Sequence, residues 1–192
     1  ATDEFHYFSR STNSLCFKSL SFFRGYISQV QLIGNCSILI HGETYQRPIR
    51  DHFKTRLNSS VIKHTTKKQS ILIHISGESK IDGTCVNLLG DHAGNVYHAL
   101  YDKLFKFLTF EDSLVYDSIL VDELDYSLDI FRSILVKYNL ITKVKIIKSG
   151  QIISVEKCLI LPPIHYTPPA LMRKRVLRED DTLFHLEAMK RV

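Results

Sequence analysis

Two apolar, β-branched runs, YISQVQLIG (26–34) and CSILIHG (36–42), flank Gly34-Asn35. A Gly-Asn pair between such runs predicts a β-hairpin. From residue 70 the pattern becomes one of short apolar runs alternating with amphipathic segments. SILIHIS (70–76) and GTCVNLLG (83–90) read as buried strands bounded by Gly, Ser and Asp. Val96, Leu100, Leu104 and Leu108 then recur every fourth residue, with Ala99 and Phe107 beside them, which predicts a helix with one apolar stripe. DSILVD (117–122) is a strand, and SLDIFRSILVKYNL (127–140) is a second helix with Leu128, Phe131, Ile134, Leu135 and Tyr138 on one side. KVKIIKSG (143–150) and KCLILPP (157–163) complete the alternation.

Strand, helix, strand, helix, strand implies right-handed crossovers and an α/β fold with a Rossmann-like, mostly parallel sheet and flanking helices. Three regions follow: a β-rich and irregular part over 1–69 packed on the main domain, the Rossmann-like unit over 70–165, and a basic helical connection over 166–192. Pro168 and Pro169 can open that last helix near Ala170 but cannot continue one.

Composition narrows the function classes. The 192 residues are 44% hydrophobic and 23% charged, as in an ordinary globular domain, and long enough for one filled core. The net charge of +5 is spread among acidic residues, so a nucleic-acid partner is not expected; peripheral contact with an anionic membrane face stays open. Cys16, Cys36, Cys85 and Cys158 lie far apart, which argues for buried thiols or one disulfide rather than zinc. Asp122-Glu123 alone is a weak metal signature. Asn35-Cys36-Ser37 and Asn58-Ser59-Ser60 fit the glycosylation rule without deciding the compartment.

Candidate chemistry concentrates where GTCVNLLG gives way to GDHAGN and a helix. In open α/β sheets ligands lie beyond the carboxyl ends of the strands, over such loops. Gly94 permits a sharp turn and Asn95 caps the helix, leaving first-turn amides to face a ligand, with Asp91 and His92 in the loop as further contacts. His98 and Asp102 are four apart and share a helix face off the leucine stripe. The helix dipole disfavours imidazolium there, so a neutral His98 beside a carboxylate suits a general base. The plainer description is a helix-surface pair worth a few tenths of a kcal/mol, on the order of 0.2–0.5.

GNVYHALYDKLFKF (94–107) resembles the signature of glycosyltransferase family 61, in which a Gly-Asn turn leads into a helix carrying a histidine and, four residues on, an acid. Gly94, Asn95, Tyr97, His98, Asp102, Leu104 and Lys106 match it, and Phe105 stands where the family usually has proline. The similarity runs over about residues 84–178 and includes the order of strands and helices. It implies one half of a GT-B architecture: the acceptor side of an inverting enzyme that moves a sugar from a nucleotide-sugar to a hydroxyl of a glycan or glycoprotein. The nucleotide-sugar would be held largely by a carboxyl-terminal domain missing from this chain, and the resemblance implies neither a metal nor a cofactor. The resemblance makes His98 the base and Asp102 its partner, with the reverse order open, and gives Asn95, Gly94, His92 and Asp91 substrate-side roles.

The richness in Ile and Lys favours a bacterial capsule or envelope pathway in the cytoplasm, with membrane association open, over the secretory lumen. Two other readings compete. One is a non-catalytic glycan-binding or accessory transferase module. The other is a two-histidine phosphoesterase built on His74-Ile75-Ser76 and His165-Tyr166-Thr167, both H-x-[ST], although the prolines around His165 oppose a central strand there.

Overall fold

Strands do alternate with helices in the second half of the chain, and the hairpin of the first half joins their sheet. A computed structural model describes residues 7–8, 25–36, 39–41, 44–46, 62–65, 70–161, 165–166 and 183–185. The strands are β1 (Tyr7–Phe8), β2 (Gly25–Ile33), β3 (Leu39–His41), β4 (Thr44–Gln46), β5 (Ile62–Thr65), β6 (Ser70–Ile73), β7 (Gly77–Asn87), β8 (Ser118–Asp122), β9 (Val144–Ile147), β10 (Gln151–Ile160), β11 (His165–Tyr166) and β12 (Leu183–His185). Seven form one sheet in the order β4-β3-β2-β10-β7-β8-β9. The pairs β10–β7, β7–β8 and β8–β9 are parallel, and β2–β10, β2–β3 and β3–β4 are antiparallel. The fold is α/β, but the mostly parallel sheet expected from the alternation is corrected to a mixed one. The predicted hairpin, β2–β3, supplies the antiparallel half.

Residues 70–76 require a second correction. β6 pairs with β5 in a separate two-stranded sheet, and His74, Ile75 and Ser76 after it are exposed. The central place falls to β7, whose first half carries polar residues because its outer positions face solvent. A short apolar run therefore drew the strand to the wrong side of residue 77.

Between β7 and β8 the helix expected over 95–110 opens as a π-helical segment, His98–Leu104, and continues as α1 (Phe105–Phe110). The Phe105 N–H donates to the Leu100 carbonyl, five residues back. Ala99, Leu100, Leu104 and Phe107 are buried and Leu108 is partly so, whereas Val96, in the first turn, stays half exposed. After β8 come α2 (Glu123–Tyr126) and α3 (Asp129–Lys137). Phe131 and Leu135 are buried, with Leu128 and Ile134 packed beside them and Tyr138 exposed past the helix end. These helical residues cover Val86, Leu88, Ile119, Val121, Leu159 and Leu161 on one face of the parallel strands.

Strand alternation sends Cys85, Leu120 and Cys158 to the other face. The sheet covers that face itself. At one level across three strands, Gln29 in β2 has φ 50, β10 shifts register between Val155 and Lys157, and Gly83 in β7 has φ 81. The Glu156 carboxylate accepts the Gly83 N–H at 3.0 Å there. Bulges bend strands, and this one bends three together. Val30, Leu32, Ile81, Ile153 and Val155, beyond the bend, pack with Cys85, Leu89, Leu120, Ile147 and Cys158 in a second core.

The fold-over brings the end of β2 to the end of β9. The Gly34 N–H donates to the Gln151 carbonyl and the Gly150 N–H to that of Gly34, each at 3.0 Å. Residues 148–150 thus join β9 to β10 with no helix. The basic helix expected from Ala170, Asn58 and most of the aromatic cluster of the first 26 residues lie outside the described residues.

A Cβ on Gly34 would stand 2.1 Å from the Lys148 carbonyl oxygen, a backbone atom that accepts the Gln151 N–H at 3.0 Å. Gly34→Ala is therefore expected to cost about 1–3 kcal/mol through overpacking, read as a lower denaturant midpoint. An unchanged midpoint would mean that the two turns do not meet as described.

Candidate functional site

The carboxyl end of β7 runs into the 88–94 loop, where Leu88 N–H still donates to the Leu120 carbonyl of β8. One buried ion cluster then fixes the loop. Lys103, on the π-helical segment, directs its Nζ to Asp122 Oδ2 at 2.8 Å, Asp125 Oδ2 at 2.5 Å and the Gly90 carbonyl at 3.3 Å, using all three ammonium hydrogens. The carboxylates accept backbone hydrogens in turn: Asp122 from Gly90 at 3.0 Å and from Asn35 at 2.5 Å, and Asp125 from Gly94 at 2.7 Å. Burial pushes the Asp122 carboxyl above its usual value, with the Lys103 charge opposing. Desolvation also pulls Lys103 down, but Asp122 and Asp125 outweigh it and its pKa lies above the ordinary 10.5. None of this cluster was singled out from sequence, except Asp122 as a weak metal ligand. An i,i+19 and an i,i+22 contact have no local signature.

The expected helix cap exists. Asn95 Oδ1 accepts from the Tyr97 N–H at 3.0 Å and the His98 N–H at 3.4 Å. The idea that first-turn amides face a ligand is corrected by that same bond, because Asn95 already takes two of them. Gly94 has φ 85, and its amide is bound to Asp125, so it shapes the loop. Its turn also brings the Gly94 backbone against Leu124, which a Cβ would approach to 3.3 Å.

His98 and Asp102 do come together. Nδ1 of His98 lies 2.6 Å from Oδ2 of Asp102, with side chains 27% and 26% exposed. A carboxylate only accepts, so the bond places a hydrogen on Nδ1; in a neutral imidazole with that tautomer the lone pair is on Nε2. His92, exposed and at φ 64, stacks on the His98 ring with centroids 4.8 Å apart. A histidine held in the left-handed region stores backbone strain of the sort that clusters at functional loops. Asp91 is half-buried in the turn just before it. The Gly34-Asn35 turn reaches the same loop: Asn35 Oδ1 accepts from the Ala93 N–H at 3.3 Å, and its Nδ2 donates to Ser149 Oγ at 3.3 Å. Its amide is thus engaged as a structural group rather than presented for glycosylation.

Lys106 keeps some solvent access, yet its ammonium lies among dense protein atoms. That desolvation lowers its pKa to about 8, with Asp102 opposing and Lys103 assisting. Cys36, Cys85 and Cys158 are buried, Cys85 and Cys158 as free thiols, and burial pushes Cys158 up to about 12. His74 follows β6, and His165 lies in β11, which pairs with β12 in a separate three-stranded sheet. The two H-x-[ST] motifs therefore do not share neighbouring central strands. Among the described residues no group of three His, Cys, Asp or Glu is arranged to hold a metal, and no helix is long and apolar enough to cross a membrane. No family model matches the chain, and no curated protein or solved structure matches it either.

Removing the cation should leave two buried carboxylates facing each other, so Lys103→Met is expected to cost about 3–5 kcal/mol in urea unfolding, partly recovered by adding Asp122→Asn. Because the Lys103 pKa is raised on folding, the cluster's stabilisation is complete below pH 10.5 and is lost as pH rises through the folded-state value. Lys103→Met should flatten that alkaline limb. For Lys106 the sign is opposite: its acylation rate, followed by mass spectrometry, should be half-maximal near pH 8, and Asp102→Asn should move that midpoint lower. A midpoint near the ordinary lysine value would overturn the desolvated environment.

Proposed function

We propose that this chain is the acceptor side of an inverting glycosyltransferase of the family 61 type, acting on a glycan or glycoprotein hydroxyl. The observation that carries the reading is the 2.6 Å His98–Asp102 pair at the carboxyl edge of the sheet, standing within the Gly94–Lys106 motif. His98 Nε2 takes the hydroxyl proton as the oxygen attacks the anomeric carbon of the donor. Asp102 holds the ring by Nδ1 and stabilises the imidazolium that forms. The proton ends on Nε2, the glycosidic bond to the nucleotide phosphate breaks, and the new bond forms on the opposite face of the sugar. Donor binding belongs to a further domain in this reading, and no metal or cofactor takes part.

The π-helical turn supports the assignment, since such segments recur at functional sites. So does the clamp through Lys103, which holds the loop ahead of His98 and needs no catalytic role of its own. Bacterial envelope polysaccharide synthesis at the cytoplasmic side is the setting this proposal favours.

His98→Ala in the full-length protein should lower transfer from nucleotide-sugar to glycan acceptors by about a hundredfold or more with donor binding unchanged. Asp102→Asn should lower it by a smaller factor. Equal transfer by wild type and His98→Ala would leave a glycan-binding module without this catalysis.

A further inference from the structure

Next to the His98–Asp102 pair the helix presents an aromatic ladder. Tyr97 stacks on Tyr101 with centroids 4.9 Å apart and planes 27° apart, and Tyr101 meets Phe105 edge to face at 5.3 Å. Tyr97 also meets His98 at 5.6 Å with the planes at 88°. Despite these contacts Tyr97 stays 46% exposed, so its ring is braced from within the helix and open to solvent beside the base. Val96 at 48% and Leu124 at 44% are also exposed, Leu124 lying against Gly94.

An apolar ring fixed within reach of a proton acceptor fits one kind of ligand: a body with a C–H face and a rim of hydroxyls. A pyranose has that shape. Its axial hydrogens lie on an aromatic face while equatorial hydroxyls point sideways towards hydrogen-bonding groups. An isolated serine or threonine hydroxyl would leave the ring unused.

We propose that Tyr97 is the stacking platform for the pyranose ring of the acceptor, and that it orients one ring hydroxyl towards His98 Nε2. This assignment rests on the glycosyl-transfer reading for its direction but makes a binding claim of its own. Tyr97 is a binding residue here, and Tyr101 positions it by closing its inner face. The tyrosine hydroxyl is not required, since the contact is made by the ring.

The test titrates the 192-residue chain with methyl glucoside, methyl galactoside and methyl xyloside in their pyranose forms, with xylitol as an acyclic control, by saturation-transfer NMR. Wild type, Tyr97→Phe, Tyr97→Leu, Tyr97→Ala and His98→Ala are compared after circular dichroism has matched their unfolding temperatures. At least one pyranoside should bind wild type through its ring C–H protons, within about twofold as well to Tyr97→Phe, and about tenfold or more weakly to Tyr97→Leu and Tyr97→Ala. Xylitol should not bind. Binding by Tyr97→Leu and Tyr97→Ala at wild-type strength, or no pyranoside binding by wild type, overturns the platform. Intact transfer by His98→Ala in the full-length protein, alongside Tyr97-dependent binding, would sink His98 as the base and leave the platform standing. The reverse pattern would do the opposite.

Discussion

A lysine ammonium surrounded by two carboxylates holds this site together. Lys103 leaves the helix, Asp122 ends strand β8 and Asp125 lies in α2, so one ammonium ties three elements of the α/β unit. Desolvating three charges is costly, and such a cluster persists only when its hydrogen-bonding capacity is filled. Here Gly90, Gly94 and Asn35 donate backbone hydrogens to the two acids, which dissipates the excess negative charge. The geometry of the loop is the consequence. With Gly90 and Gly94 both pinned, the segment between them has little freedom, and His92 is held at a left-handed φ over the His98 ring.

Asn35 connects that cluster to the other large feature, the fold-over of the sheet. A parallel sheet needs cover on both faces, ordinarily from helices on each side. Among the described residues helices cover one face, and the bent halves of β2, β7 and β10 pack on the other. The bend is what carries the Gly34-Asn35 turn to the carboxyl edge, where it contacts Asp122 and Ala93. The antiparallel strands thus act on the site through a backbone amide and a side-chain amide, and the candidate base is braced from both halves of the sheet.

Much of this was legible locally. The hairpin at Gly34-Asn35, strand β8, the helix past Asn95, its cap and the His98–Asp102 pair all follow from residues within one turn or one hairpin of each other. Where local signals competed, they misled. SILIHIS is more apolar than GESKIDG, yet the latter opens the central strand, because its outward positions meet solvent and need no apolar side chain. Val96 continues the leucine period but precedes the point at which the helix meets the sheet.

By itself the sequence determined an α/β chain with a capped helix carrying an imidazole and a carboxylate on one face, since periodicity, turn chemistry and i,i+4 spacing act over a few residues. Tertiary structure alone decided that the sheet is mixed and doubled over, that Lys103 meets Asp122 and Asp125, and that Asn35 closes on the loop. Those contacts join residues as far apart as Gly25 and Ile160. Each depends on how strands pair and bend once buried, and a favourable desolvated ion cluster exists only after the backbone has delivered every partner to it.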